Sequence, residues 1–312
     1  MEKPVRAAVV QAGSALYDTP RTLARMATLA AKAAAQGAEF ILFPEAFVGG
    51  YPKGVDFGSR VGTRSDEGRE EFRRYFESAI ELDGSGGRVI GEIASDLGVT
   101  LMTGVIERVG STLYCTAATF GPDGALLGRH RKLVPTAHER LLWGQGDGST
   151  LTTIRTPLGC IGSAICWENY MPLLRMALYA QGVQIYCAPT VDSRETWLPT
   201  MRMIALEGRC FVLSASQFLQ RKDCPQDYAP MQGNDPETVL IGGGSCIIDP
   251  LGNVLVEPVF DCERIACATL DPKLIAMGKF DLDVAGHSAR PDIFRFSVDT
   301  MAREVVAFKK EG

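Results

Sequence analysis

Three short apolar runs each end in a side chain that can do chemistry. Phe40-Ile41-Leu42-Phe43-Pro44 leads to the carboxylate of Glu45, Leu127-Gly128-Arg129-His130-Arg131 to the ammonium of Lys132, and Ile161-Gly162-Ser163-Ala164-Ile165 to the thiol of Cys166. Runs of this length read as strands, and in α/β sheets ligands bind beyond the carboxyl ends of strands, so the three groups can meet in one crevice. Together they supply a nucleophile, an acceptor for its proton and a cation for charge that develops during reaction. Singly, each has a plainer reading: a surface carboxylate, a surface amine, and one more buried thiol among nine. A thiol attacks as thiolate, and Cys166 stands beside charged residues and ahead of an expected helix, both means of lowering its pKa or taking its proton.

The elements that must position these groups alternate. Residues 6–11 read as a strand, 20–36 as a helix and 39–43 as a strand. Thr19 is the expected cap, Pro20 suits the first turn, and Gly37 can adopt the positive φ that ends a helix. Residues 113–120 and 125–131 flank Pro122-Asp123-Gly124, a hairpin signal, so antiparallel pairs join the sheet. Then follow a buried strand at 161–165, a helix at about 169–181, a strand at 184–188, a helix at 197–209 and an extended segment at 211–216. Residues 220–237, rich in Pro, Asp, Gln and Gly, read as a long surface loop. A second hairpin joins 245–248 to 254–256 through Asp249-Pro250-Leu251-Gly252, and a strand at 264–270 precedes a helix from Pro272.

Composition narrows the function. A chain of 312 residues with 46% hydrophobic residues can bury one large α/β core. A net charge of -5, with no basic run, gives nucleic acid no electrostatic reason to bind, so a small molecule is the expected ligand. The apolar run at residues 7–10 is too short for a signal segment or membrane span, which makes a cytoplasmic protein the expectation. Nine cysteines without a CxxC pair argue against a disulfide framework or a zinc ribbon. No metal-ligand spacing or phosphate loop appears, so no metal and no cofactor are expected.

Longer strings surround the three residues: FPEAFVGGYPKG at 43–54, HRKLVPTAHERLLWGQGDG at 130–148, CWENYMPLLR at 166–175, APTVDSRETW at 188–197, ALEGRCFVLSASQ at 205–217 and GHSARPDIF at 286–294. From Ala7 to about Phe296 the chain resembles the nitrilase superfamily of carbon-nitrogen hydrolases, and its true nitrilase branch in particular. The resemblance implies an α-β-β-α sandwich in one domain, residues 1–312, with a core at about 5–296 and a short tail. It makes Glu45 the general base, Lys132 the cation that stabilises the intermediate and Cys166 the nucleophile. Glu139 becomes the family's second glutamate, orienting Lys132 and water, where its sequence position alone suggests only a helix-start carboxylate. Tyr51, Trp143, Trp167, Thr190 and Val191 fall at substrate-lining positions; ordinary core packing is the alternative.

The implied reaction converts a nitrile to a carboxylic acid and ammonia, with arylacetonitriles suggested by the plant-like FVGGYPKGVDFG string. An amidase or carbamoylase would share the triad and differ in the pocket. A non-catalytic binding module would have lost part of the triad. His130, His138 and His287 are expected to be structural or to support the catalytic residues from behind, and none to be catalytic itself. A homodimer or larger homo-oligomer is implied, although the chain ends soon after Phe294, where many family members carry a longer tail linked to filaments. Ala164 stands where relatives often have a larger aliphatic residue, which bears on pocket shape.

Overall fold

Neighbouring residues of one strand face different cores, and that alternation generates the architecture. In the computed structural model, which describes residues 1–303 and 306, sixteen strands are arranged in two large sheets and two ribbons. The first sheet contains β1 (Val5–Gln11) and β2 (Phe40–Leu42); β3 (Ser59–Arg60) and β4 (Thr63–Arg64) form a ribbon; β5 (Thr100–Val109), β6 (Thr112–Phe120) and β7 (Leu126–Arg131) return to the first sheet. The second sheet contains β8 (Ile154–Thr156), β9 (Gly159–Ser163), β10 (Ile185–Cys187) and β11 (Phe211–Ser214). The ribbon β12 (Phe218–Gln220) and β13 (Val239–Gly242) precedes β14 (Cys246–Ile248) and β15 (Val254–Val256) of the second sheet, and β16 (Arg264–Leu270) closes the first. The helices are α1 (Thr19–Ala34), α2 (Asp66–Ser78), α3 (Ser85–Leu97), α4 (Pro172–Ala180), α5 (Trp197–Gly208) and α6 (Lys273–Asp281).

The first sheet has the order β16-β1-β2-β5-β6-β7 and the second β15-β14-β11-β10-β9-β8. In each, three central strands run parallel and the outer pairs are antiparallel. Val5, Ala7, Val9, Phe40 and Leu42 share one buried cluster with Ile161, Ile185, Phe211 and Leu213, so the two sheets pack face to face. Ala8, Val10 and Ile41 point the other way, against Met26 and Leu29 of α1 and Ile90 of α3. Tyr186, Val212 and Ile248 likewise meet Leu174 of α4 and Met201 of α5. The result is the expected α-β-β-α sandwich, held by cores in which each large aliphatic or aromatic side chain contributes roughly 1.5–3 kcal/mol.

Two local expectations need correction. Asp18 caps α1, accepting from the Arg21 amide at 3.0 Å, while Thr19 has entered the helix and donates to the Ser78 carbonyl. The helix expected at about 169–181 starts later, as α4 at Pro172, because Asn169 and Tyr170 end a 3-10 turn, Cys166–Tyr170. Pro172 causes the break by forcing Met171 into extended backbone, φ -91° and ψ 103°. The segment 220–237 is the expected surface loop, anchored by a few inward side chains. Arg221 is buried and donates to the carbonyls of Pro225 and Gln226, and Tyr228 is buried with its hydroxyl on the Lys53 carbonyl.

Gly104 in β5 holds the turn that carries Glu45. A Cβ there would lie 2.4 Å from both the Ala46 nitrogen and the Pro44 oxygen. Gly104→Ala is therefore expected to cost about 1–3 kcal/mol, read as a lower urea midpoint, and to abolish activity in whatever protein folds. An unchanged midpoint would mean that this turn yields freely.

Candidate active site

Glu45 and Lys132 come from the first sheet, just past β2 and β7, and Cys166 from the second, just past β9. The crevice is thus the seam between the sheets. Lys132 donates to Glu45 Oε1 at 2.7 Å and to Glu139 Oε2 at 2.8 Å. The ammonium and the Glu45 carboxylate are both inaccessible to solvent. An ammonium has three N–H groups, so these two bonds leave one for a substrate. Burial works against the charge on Lys132, but the carboxylates of Glu45 and Glu139 outweigh it and hold the amine well above its ordinary value.

Burial raises the Glu45 carboxyl above its usual range, with Lys132 pulling it back down and Glu139 pushing it further up. Its Oε1 also accepts from the Cys115 thiol at 3.6 Å, whereas Oε2 is buried with no hydrogen-bond partner among the described residues. Oε2 is the free position for an incoming proton. Its backbone is fixed by Gln217, whose amide donates to the Glu45 carbonyl at 2.7 Å.

Cys166 opens the 3-10 turn in the left-handed region, at φ 51°, a conformation that costs a non-glycine residue about 1–3 kcal/mol. The Cys166 amide donates to the Pro189 carbonyl at 2.9 Å, and the Thr190 hydroxyl lies 3.2 Å from the sulfur. The expectation of a lowered thiol pKa fails. Burial, and next the Glu45 charge, push the thiol up, and Lys132 and Thr190 only partly offset them. The sulfur is thereby held as a thiol.

Glu139 sits at the start of a 3-10 turn (Ala137–Leu141), and its Oε2 accepts from the Thr136 amide at 2.6 Å. It therefore fills its local capping role and bonds Lys132 as well. Tyr51 donates to its Oε1 at 2.8 Å and meets the Trp143 ring edge-on at 5.8 Å between centroids. Burial and the charges of Glu139 and Glu45 keep the Tyr51 phenol protonated. The Trp143 indole donates to Tyr75 and lies under Lys132, 5.5 Å from the ammonium to the ring centroid.

Tyr51, Phe57, Leu142, Trp143, Glu139 and Gln232 help to line a cavity of about 260 Å³. It shares Gly54, Asp56, His138 and Met231 with a wider groove of about 1030 Å³ against α2. A third cavity, of about 670 Å³, lies between α1 and α3 on the outer face, away from this chemistry.

The remaining expected residues divide. Thr190 is wholly buried and bonds the sulfur, and Val191 is buried in the inter-sheet core. Trp167 is 43% exposed, its indole bonded to Asp192 at 3.0 Å and covered by the Arg194 guanidinium at 4.6 Å. Ala164 belongs to the outer core of the second sheet. His138 lines the cavity wall, His287 is exposed, and His130 is buried against Glu168. Glu168, Cys115, Gln217 and Gly104 were not expected to matter. Only Glu168 carried a local signal, its place three residues after Ile165, where a carboxylate can cap a turn.

The carbon-nitrogen hydrolase family profile matches residues 6–279. A nitrilase of Bradyrhizobium diazoefficiens is 54% identical over 97% of this chain and 94% of its own. An aliphatic nitrilase of Sinorhizobium fredii is 52% identical over 96% of this chain and 97% of its own, and an arylacetonitrilase of Trametes versicolor 50% identical over 96% and 98%. Among solved structures, the NitFhit protein of C. elegans superimposes with a TM-score of 0.73 over 97% of this chain and 69% of its own, at 19% identity. With its sandwich fold and its buried Glu, Lys and Cys side chains, the chain belongs to the carbon-nitrogen hydrolase family and stands there among the nitrilases.

Proposed function

We propose that this enzyme hydrolyses a nitrile to the carboxylic acid and ammonia through a covalent intermediate on Cys166. The observation that carries the reading is the buried Lys132 ammonium, bonded to Glu45 and Glu139 in the same crevice as a thiol held in left-handed backbone. As the sulfur attacks the nitrile carbon, its proton passes to Glu45 Oε2 and on to the nitrile nitrogen, giving a thioimidate. One water adds, ammonia leaves once its nitrogen is protonated, and a second water cleaves the thioester to acid. The third N–H of Lys132 and the Trp167 amide are the donors assigned to the developing charge. Glu139, held by Tyr51 and Thr136, orients Lys132 and the attacking water.

Aromatic side chains at the cavity, Tyr51, Phe57 and Trp143, favour a ring-bearing nitrile of the arylacetonitrile type. The relative from Trametes versicolor is named for that substrate class. We also assign the protein to the cytoplasm as a homo-oligomer. Nine unpaired cysteines suit a reducing compartment. Leu173 on α4 and Met203 and Leu206 on α5 offer exposed apolar surface for a second copy.

Cys166→Ala is expected to abolish turnover without loss of fold, and Glu45→Gln and Lys132→Met each to slow it by roughly 10²–10⁴-fold, with the double variant far from additive. Mild, additive losses in steady-state assays would remove these residues from the catalytic unit. In a matched panel, phenylacetonitrile should give mainly phenylacetic acid and ammonia, with phenylacetamide a minor product and a poor substrate. Faster hydrolysis of the amide than of the nitrile would make the enzyme an amidase. Light scattering should find a dimer or larger assembly; a strict monomer at assay concentration would contradict the oligomer.

A further inference from the structure

Glu168 lies two residues beyond Cys166 and is almost completely buried. Its Oε1 accepts from the amide of Leu133, the residue after Lys132, at 2.6 Å. Its Oε2 accepts from the amide of Ile165, the residue before Cys166, at 2.8 Å, and stands 3.0 Å from His130 Nε2. One side chain thus bridges the seam, tying the strand end that carries the ammonium to the turn that carries the thiol. Its backbone partners are donors, so it acts as an acceptor-only carboxylate.

The His130 ring has acceptors at both nitrogens: Glu168 at Nε2, and the Thr150 carbonyl 3.2 Å from Nδ1. A neutral imidazole carries one N–H and would leave the other nitrogen lone pair against an acceptor; an imidazolium satisfies both. Its charged neighbours on the same strand end are turned elsewhere, Arg129 and Arg131 to Glu107 and Lys132 to Glu45 and Glu139. Across the seam the ring meets Glu168, and Glu168 in turn lies within electrostatic reach of Cys115 and Tyr186, both held protonated by burial.

We infer that His130 and Glu168 are a positioning pair that fixes Lys132 relative to Cys166, and that the pair holds only while His130 is an imidazolium. Burial opposes the charged ring, but the Glu168 charge, its hydrogen bond and the Thr150 carbonyl outweigh burial and raise the ring above the ordinary histidine value. A folded-state value above the unfolded one stabilises the native state fully below the unfolded value, and this contribution is lost as pH rises through the folded value. The pair therefore loosens on the alkaline side.

The inference rests on the reading of Cys166 as nucleophile, and two arms keep the two separable. In full-length enzyme carrying ¹⁵N-labelled histidine, with His130 signals assigned by their loss in His130→Gln, both ring nitrogens should be protonated at about pH 7.5. With phenylacetonitrile, kcat should fall along the same alkaline curve while KM changes by less than about twofold. In Glu168→Gln, folded by circular dichroism, an amide would face an amide, and kcat should drop by at least about tenfold through misplacement of the reacting groups. His130→Gln should lose the shared alkaline limb, and the double variant should be no slower than the slower single one. A neutral His130 ring at that pH, or wild-type kcat in folded Glu168→Gln, overturns the inference. If Glu168→Gln does not fold, the ring's protonation state decides alone. Turnover by Cys166→Ala would sink the nucleophile reading and leave the spectroscopic result standing.

Discussion

An ammonium sealed from water between two sheets is the constraint on which the site depends. Lys132 keeps its charge in the core because two carboxylates touch it, and those carboxylates tolerate burial because the ammonium lies between them. The surrounding contacts serve that arrangement. Gln217 holds the Glu45 backbone, Thr136 and Tyr51 hold Glu139, and Trp143 covers the ammonium. Residues expected to line a substrate pocket therefore also support the charged cluster, and Tyr51 does both.

The sandwich explains why the reacting groups face one another. The central strands of each sheet are parallel, so their carboxyl ends open on one side, and face-to-face packing sets the two sets of ends against each other. Glu45 and Lys132 arrive from one sheet and Cys166 from the other. Ile161, Ile185 and Phe211 belong to the inter-sheet core that holds the Cys166 turn against the strand ends of Glu45 and Lys132.

The same low-dielectric setting settles the protonation states. A thiolate would be stabilised at an exposed helix start, but Cys166 lies beneath the surface beside the negative charge of Glu45, and its proton stays on. Glu45, itself raised by burial, is a stronger base than a solvated carboxylate and has an unbonded oxygen. The burial that disfavours the free thiolate also raises the proton affinity of the carboxylate beside it.

The sequence by itself determined the element grammar, the three strand-end groups and the family. Those depend on local periodicity and on strings such as CWENYMPLLR that can be read along the chain. It was silent on α2, α3 and β5, and it began α4 at about Asn169, within the turn that Cys166 opens, because periodicity does not register the backbone restriction that Pro172 places on Met171. Contacts across long separations were decided only by the tertiary structure: Gln217 on the Glu45 backbone, Gly104 under its turn, Thr190 on the sulfur and Glu168 bridging the seam. The direction of the Cys166 pKa belongs with them. Exposure, and which charge stands nearest in space, fix that direction, and neither is a property of neighbours along the chain.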